Sequence, residues 1–105
     1  MAEDDFGLKF TLESGETCTF HALPIRIGRD PSNEIVLAHA TVSAFHAQVF
    51  YDDLLNDICI QDLDSTNGLF INDLPTRKNV LMDGVKIGLG QAGLIFRDTG
   101  YIHSV

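Results

Sequence analysis

The sequence contains no tryptophan, only two cysteines in 105 residues, and no apolar run longer than a few residues. The short runs exclude a membrane-spanning helix, which needs about 20 mainly apolar residues. A secretory signal would begin with basic and then apolar residues, whereas this chain begins with the acidic segment Met1-Ala2-Glu3-Asp4-Asp5. We therefore expect a cytoplasmic protein, in which Cys18 and Cys59 are free thiols buried within strands.

Basic residues are also scarce, because seven Lys and Arg stand against fifteen Asp and Glu and give a net charge of −8. A protein that binds nucleic acid or anionic lipid needs a basic face that neutralises phosphates. This chain is too acidic to build a broad face of that kind, so we predict no nucleic acid and no membrane among its partners. Any anion that it binds must be held locally, by a few side chains and backbone N–H groups.

Apolar residues recur at every second position in several short segments, which is the periodicity of β-strands. The alternating residues are Leu8, Phe10 and Leu12; Ile25 and Ile27; Val49 and Tyr51; Ile58 and Ile60; Val85, Ile87 and Leu89; Leu94 and Phe96. Turn-forming residues separate these segments, and no stretch of ten or more residues has the apolar periodicity of a helix. The pattern predicts a single all-β domain over residues 1–105, a sandwich or a barrel, with residues 1–5 as a frayed end.

Three polar loop segments between these strands carry the candidate functional residues. They contain Gly28-Arg29, then Ser43-x-x-His46, then Ser65-Thr66-Asn67-Gly68. Taken singly, each has an ordinary structural interpretation: a solvated arginine, a serine that caps a loop, and an Asn-Gly hairpin turn. Their order and spacing along one chain are far more specific than any one of them.

With Leu81-x-Asp83-Gly84 and Ile87-x-Leu89-Gly90 added, the series resembles the forkhead-associated (FHA) domain from about Ile25 to Phe96. The resemblance implies a two-sheet antiparallel β-sandwich whose loops at one end bind phosphothreonine peptides without catalysing a reaction. It implies as partner a protein phosphorylated on threonine in a kinase signalling pathway. Nothing in the sequence defines the oligomeric state, and we take a monomer as the default.

The resemblance assigns four residues to the phosphothreonine site, Arg29, Ser43, Thr66 and Asn67. Arg29 is expected to hold the phosphate, because a guanidinium fork suits phosphate oxygens. Ser43 is expected to donate its hydroxyl to the same phosphate, and Thr66 to add a further contact. Asn67 is expected to clamp the peptide backbone with an amide that both donates and accepts hydrogen bonds.

The resemblance also implies three residues that support the site structurally, Gly28, His46 and Gly68. Gly68 is expected to complete a turn in which a side chain would cause strain. The sequence departs from the family pattern at Ala44, where many members carry Arg, Lys or Asn that also contacts the phosphate or the peptide. The site is therefore expected to have one donor fewer, and Phe45 is a candidate accessory contact to the peptide. A partner bound independently of phosphorylation, through loop residues such as Phe45, remains open as the alternative.

Two other kinds of site fit the sequence poorly. Asp62, Asp64 and Asp73 vaguely resemble a calcium loop, but the glycine falls at the seventh position instead of the sixth, and no bidentate Glu ends the loop. A hydrolase using Ser43 and His46 would need a nucleophile elbow and an α/β pattern, and the sequence has neither. We expect no metal, no cofactor and no enzymatic activity.

Overall fold

The computed structural model describes residues 7–100, which form eleven β-strands in two sheets. The strands are β1 (Leu8–Leu12), β2 (Thr17–Phe20), β3 (Ile25–Gly28), β4 (Ile35–Val36), β5 (Ala47–Asp52), β6 (Asp57–Asp62), β7 (Leu69–Ile71), β8 (Leu74–Thr76), β9 (Lys78–Val80), β10 (Lys86–Leu89) and β11 (Ala92–Asp98). Sheet A has the order β2-β1-β11-β10-β7-β8, and sheet B has the order β4-β3-β5-β6-β9. Within residues 7–100 every neighbouring pair is antiparallel except β3 and β4, which run parallel.

The core lies between the two sheets and is built from the residues that alternate in the sequence. Phe10 of β1 packs there against Phe20 and Phe96, with ring centroids 6.1 Å and 5.3 Å apart. Burying a side chain of this size contributes about 1.5–3 kcal/mol, so the alternation decides which face of each strand turns inward. The predicted two-sheet all-β fold is confirmed, with the single parallel pair as its one departure.

The sequence did not reveal four short strands, β4, β7, β8 and β9. Each has only two or three residues, too few to display a period-two pattern. The frayed segment predicted at residues 1–5 lies outside the described residues. Within residues 7–100 there is no helix long and apolar enough to cross a membrane.

The two cysteines lie on different sheets and are free thiols. Cys59 on β6 is fully buried, as expected, but Cys18 is only half-buried because β2 is an edge strand of sheet A. Burial raises the pKa of both thiols, which favours their protonated form.

The antiparallel pairing sends the functional loops to one end of the sandwich. β3 ends, β5 begins and β6 ends at the same edge of sheet B, and the turn at residues 90–91 lies beside them through hydrogen bonds to Gly68 and Thr41. We call this the loop end. The opposite end, which we call the hairpin end, carries the β5–β6 hairpin and the start of β1, where the Thr99 N–H donates to the Gly7 carbonyl at 2.9 Å.

Candidate functional site

The loop that follows β3 is held against the loop that precedes β5. The Arg29 N–H donates to the Ser43 carbonyl at 3.0 Å, and the Asp30 N–H donates to the Ala44 carbonyl at 3.1 Å. At the end of β3, a Cβ on Gly28 would lie only 2.2 Å from the Ala44 carbonyl oxygen. Any larger residue at position 28 would push the two loops apart, so the close approach requires glycine.

Asn33 strengthens the same connection and was not identified from the sequence. Its buried side-chain amide donates to the carbonyls of Asp30 at 2.7 Å and Ala44 at 2.8 Å. The Ser32 hydroxyl and N–H contact the Asp30 carboxyl at 2.5 Å and 2.9 Å, and these bonds lower its pKa. The turn residues Asp30-Pro31-Ser32-Asn33 predict a loop, but nothing in them reveals a bond to a residue eleven positions away.

The Arg29 side chain is oriented by one hydrogen bond, from its Nε to the Val42 carbonyl at 2.9 Å. No other protein partner for the guanidinium is found within residues 7–100. Its two terminal amino groups therefore remain available as a fork for two oxygens of one anion.

His46 connects the loop before β5 to the turn after β6, and we call these two segments the recognition loops. It is 0% exposed, its Nδ1 accepts the Ser43 N–H at 3.1 Å, and its Nε2 lies 2.8 Å from the Gly68 carbonyl. Because Nδ1 accepts, the ring proton lies on Nε2 and is donated to Gly68, which fixes a neutral tautomer. Protonation of Nδ1 would break the bond to Ser43.

The turn that carries Thr66 and Asn67 is built around Asp62 and Ser65. The Asp62 carboxylate accepts the Ser65 hydroxyl at 2.5 Å and the Ser65 N–H at 3.1 Å, and the Ser65 Oγ accepts the Gly68 N–H at 3.0 Å. Gly68 has φ +90°, a conformation that favours glycine. The turn joins β6 of sheet B to β7 of sheet A, so the Asn-Gly pair does not form a hairpin.

Asn67 is oriented by Thr41, a second residue that the sequence did not reveal. The Asn67 Nδ2 donates to the Thr41 carbonyl at 2.8 Å, leaving the amide oxygen and one N–H for a ligand. Thr41 is itself held by its Oγ1, which accepts the Gln91 N–H at 2.9 Å and lies 2.8 Å from the His39 Nδ1. A Cβ on Gly90 would lie 2.5 Å from the Thr41 carbonyl oxygen, so the β10–β11 turn packs tightly against this loop.

The four predicted contact residues come together around one cleft of about 260 Å³. Arg29, Ser43, Thr66 and Asn67 all line it, and Arg29 is the only charged side chain among its lining residues in the described part of the chain. The Ser43 Oγ accepts the Thr66 N–H at 3.0 Å, so the Ser43 hydroxyl proton points elsewhere and is available to a ligand. The cleft can hold a compact anion by charge and by hydroxyl donors.

The loop positions 44 and 45 differ in their relation to this cleft. Ala44 lines it without offering a side-chain donor, whereas Phe45 is not among its lining residues. Phe45 is 44% exposed and presents apolar surface on the loop that also carries Ser43 and Ala44.

The geometry disagrees with the two rival interpretations. The His46 Nδ1 accepts the Ser43 backbone N–H and not its hydroxyl, so no serine–histidine nucleophile is assembled. Asp62 caps the turn, while Asp73 pairs with Lys86 at 3.1 Å. Among residues 7–100 no group of three or more His, Cys, Asp or Glu is placed to hold a metal ion.

The chain is thus a two-sheet β-sandwich in which an arginine, a serine and an asparagine from three loops line one cleft at one end. A family comparison agrees, because the FHA domain family matches residues 25–90 of the chain. The chain belongs to the FHA domain family. Members of this family act as binding modules.

Among relatives, the glycogen accumulation regulator GarA of Mycobacterium tuberculosis is 33% identical over 69 residues, which cover 66% of this chain and 41% of GarA. The chain thus spans less than half the length of that relative. The structure of Mycobacterium tuberculosis EmbR in complex with a low-affinity phosphopeptide is similar, with a TM-score of 0.80 and 28% identity over 94% of this chain and 26% of EmbR. A structure from a study of phosphothreonine-dependent FHA domain interactions has a TM-score of 0.77 and 29% identity, covering 93% of this chain and 98% of that one.

Proposed function

We propose that this chain is a non-catalytic, cytoplasmic module that binds a phosphorylated threonine of a partner protein in a kinase signalling pathway. The observation that carries the proposal is the cleft in which, among residues 7–100, Arg29 is the only charged lining residue, and which Ser43 and Thr66 also line. A phosphothreonine has a charge of about −1.5 to −2 at pH 7 and three acceptor oxygens. A guanidinium fork and hydroxyl donors are the partners that such a group needs.

In this proposal each of the four cleft residues makes one kind of contact with the ligand. The Arg29 terminal amino groups bind two phosphate oxygens, the Ser43 hydroxyl donates to a phosphate oxygen, and Thr66 adds a third contact. Asn67 uses its free amide oxygen and N–H on the peptide backbone next to the phosphothreonine. The complexes of EmbR with a phosphopeptide and the phosphothreonine-dependent interactions of the other FHA domain support this assignment, and the name of GarA supports a regulatory role.

The direct test is a fluorescence-anisotropy titration of four peptides that differ only at one residue: phosphothreonine, threonine, phosphoserine and glutamate. Phosphothreonine is expected to bind tightest, and threonine and glutamate are expected to fail. Phosphoserine is expected to bind at least about tenfold more weakly, because losing one methyl from a fitted pocket costs about 1–3 kcal/mol. Equal binding of the threonine and phosphothreonine peptides would contradict the proposal, and equal binding of phosphoserine would contradict only the methyl pocket.

The exposure of Phe45 favours one second candidate, the same fold binding a partner independently of phosphate. Beside Ala44, which offers no donor, a side chain that is 44% exposed provides an apolar contact of another kind. On this mechanism Phe45→Ala weakens binding and dephosphorylation of the partner does not. On the phosphothreonine mechanism dephosphorylation abolishes binding and Phe45→Ala has a small effect.

A further inference from the structure

A second cavity, of about 560 Å³, adjoins the turn that carries Thr66 and Asn67, which we call the recognition turn. Thr66 and Asn67 line both this cavity and the Arg29 cleft, so the turn forms a ridge between the two. Beyond the ridge the lining comes from the β8–β9 segment, including Thr76 and Arg77. We call it the Arg77 cavity. Arg29 and Arg77 therefore line cavities on the two sides of Thr66 and Asn67.

Arg77 is one of the basic side chains of this acidic chain that form no ion pair within residues 7–100. Four of the seven basic residues are paired, namely Arg26 with Glu34, Lys78 with Asp52, Lys86 with Asp73 and Arg97 with Asp83. Within residues 7–100 the other three, Lys9, Arg29 and Arg77, have no carboxylate partner. Arg29 and Arg77 each line a cavity beside the recognition turn, whereas Lys9 lies on β1 of sheet A, next to the edge strand β2.

Among the described residues that line the Arg77 cavity, Asp62 is the one carboxylate, and its oxygens bind within the turn. The Asp62 N–H donates to the Arg77 carbonyl at 2.8 Å, which fixes the Arg77 backbone next to the turn. Both Asp62 carboxylate oxygens, however, bind the hydroxyl or N–H of Ser65, at 2.5 Å and 3.1 Å. The arrangement leaves the Arg77 guanidinium as a donor for an anion from outside the chain.

We propose that Arg77 forms a second anion subsite, which binds a carboxylate or a phosphate on a residue close to the phosphothreonine in the same peptide. The proposal rests on the proposed function of the Arg29 cleft. An extended peptide advances about 3.3 Å per residue, so four positions on either side of the phosphothreonine cover about 13 Å of peptide in each direction. The net charge of −8 repels acidic groups at every other position, and this confines the preference to the position that faces Arg77.

The test is an acidic scan of a phosphothreonine peptide that otherwise contains alanine. Glutamate is placed singly at each of the four positions before and after the phosphothreonine, and dissociation constants are measured for the wild type, Arg77→Gln and Lys9→Gln. Lys9→Gln is the matched control, because it removes one unpaired positive charge from sheet A, away from the Arg77 cavity. We expect one position at which glutamate improves binding about 3- to 10-fold in the wild type and in Lys9→Gln, but not in Arg77→Gln. Phosphoserine at that position then distinguishes a phosphate from a carboxylate, since a second phosphate is expected to gain more.

Two failures of this experiment have different meanings. If glutamate has the same effect in Arg77→Gln as in Lys9→Gln at all eight scanned positions, the subsite is overturned while the Arg29 cleft keeps its assignment. If the alanine-based phosphothreonine peptide binds to none of the three proteins, although their melting temperatures agree, the proposed function itself is contradicted, and the subsite with it.

Discussion

The loop end and the hairpin end of the sandwich are stabilised in different ways. At the loop end, the buried polar side chains of His46 and Asn33 bond to the backbone of loops that are distant in sequence. At the hairpin end, Leu54 is 95% exposed and Leu55 is 54% exposed. The β5–β6 turn there is held by Asp52, which accepts the N–H groups of both leucines at 2.8 Å and 3.0 Å.

The difference follows from what each end has to present to solvent. The Arg29 cleft is open and lined by polar side chains, so its loops are not fixed by packing over an apolar core. Hydrogen bonds from side chains to backbone hold these loops instead. The hairpin end has no comparable requirement, and a local turn is sufficient. Substitutions at the loop end are therefore expected to have much larger effects than substitutions at the hairpin end.

The largest effect is expected for Arg29→Ala. Removing the charged partner of a phosphate costs about 2–5 kcal/mol, or about 30- to 5,000-fold in affinity. Within residues 7–100 the Arg29 side chain makes a single protein hydrogen bond, through Nε, so the melting temperature should change little. Titration of the phosphothreonine peptide, together with a thermal melt, checks both expectations, and near wild-type affinity would remove Arg29 from the site.

His46→Ala is expected to affect stability first. It leaves the Ser43 N–H and the Gly68 carbonyl without their buried partner, at a cost of about 1–3 kcal/mol for each unsatisfied group. A chain of this size loses about 4–8 °C of melting temperature per kcal/mol. Binding should weaken as well, because both recognition loops lose one support. A normal melt combined with lost binding would instead make His46 a ligand contact.

A smaller effect is expected from pH at the hairpin end. The Lys78 ammonium, whose Nζ lies 2.5 Å from Asp52 Oδ2, and the loop N–H groups lower the pKa of the Asp52 carboxyl. A carboxyl with a lowered pKa stabilises the fold above its unfolded-state pKa of about 4, and this contribution disappears as the pH falls further. Asp52→Asn keeps the oxygen that accepts from Leu54 and Leu55 but loses the charge.

Melting temperatures between pH 5 and pH 3 check this expectation. The wild type should lose more stability than Asp52→Asn over that range, while at pH 7 the variant should be the less stable of the two. Parallel pH profiles for the two proteins would show that the Asp52–Lys78 pair contributes nothing measurable to folding.

The smallest effect is expected for Leu54→Ala. An exposed side chain outside any network usually changes stability by less than about 0.5 kcal/mol, and the hairpin lies at the end opposite the cleft. Both the melting temperature and the affinity for the phosphothreonine peptide should match the wild type. A loss of affinity in this variant would mean that the partner also contacts the hairpin end.

The sequence predicted the parts of this fold that depend on local patterns. Long strands such as β1 and β11 are readable because one face is buried along five and seven residues. The three motif segments were also readable, and the structure brings Arg29, Ser43, Thr66 and Asn67 to one cleft, although the role of each remains a prediction.

The residues that hold those side chains in place were not predictable, because their partners are distant in sequence. Thr41 bonds to Asn67 across 26 positions and to Gln91 across 50, and neither partner follows from the composition of a loop. Arg77 and Lys78 are adjacent in sequence, yet Lys78 pairs with Asp52 while Arg77 lines a cavity. Only the three-dimensional structure distinguishes Lys78, which forms an ion pair, from Arg77, which lines a cavity.

The hydrogen bond between Thr99 and Gly7 has a consequence for how such a unit can be used. It brings the beginning of β1 and the end of β11 side by side, at the end of the molecule opposite the Arg29 cleft. A fluorophore, an affinity tag or another folded unit attached at this point would not obstruct the recognition loops. The domain can therefore be inserted into a longer polypeptide with both of its connections at the hairpin end, opposite the loop end.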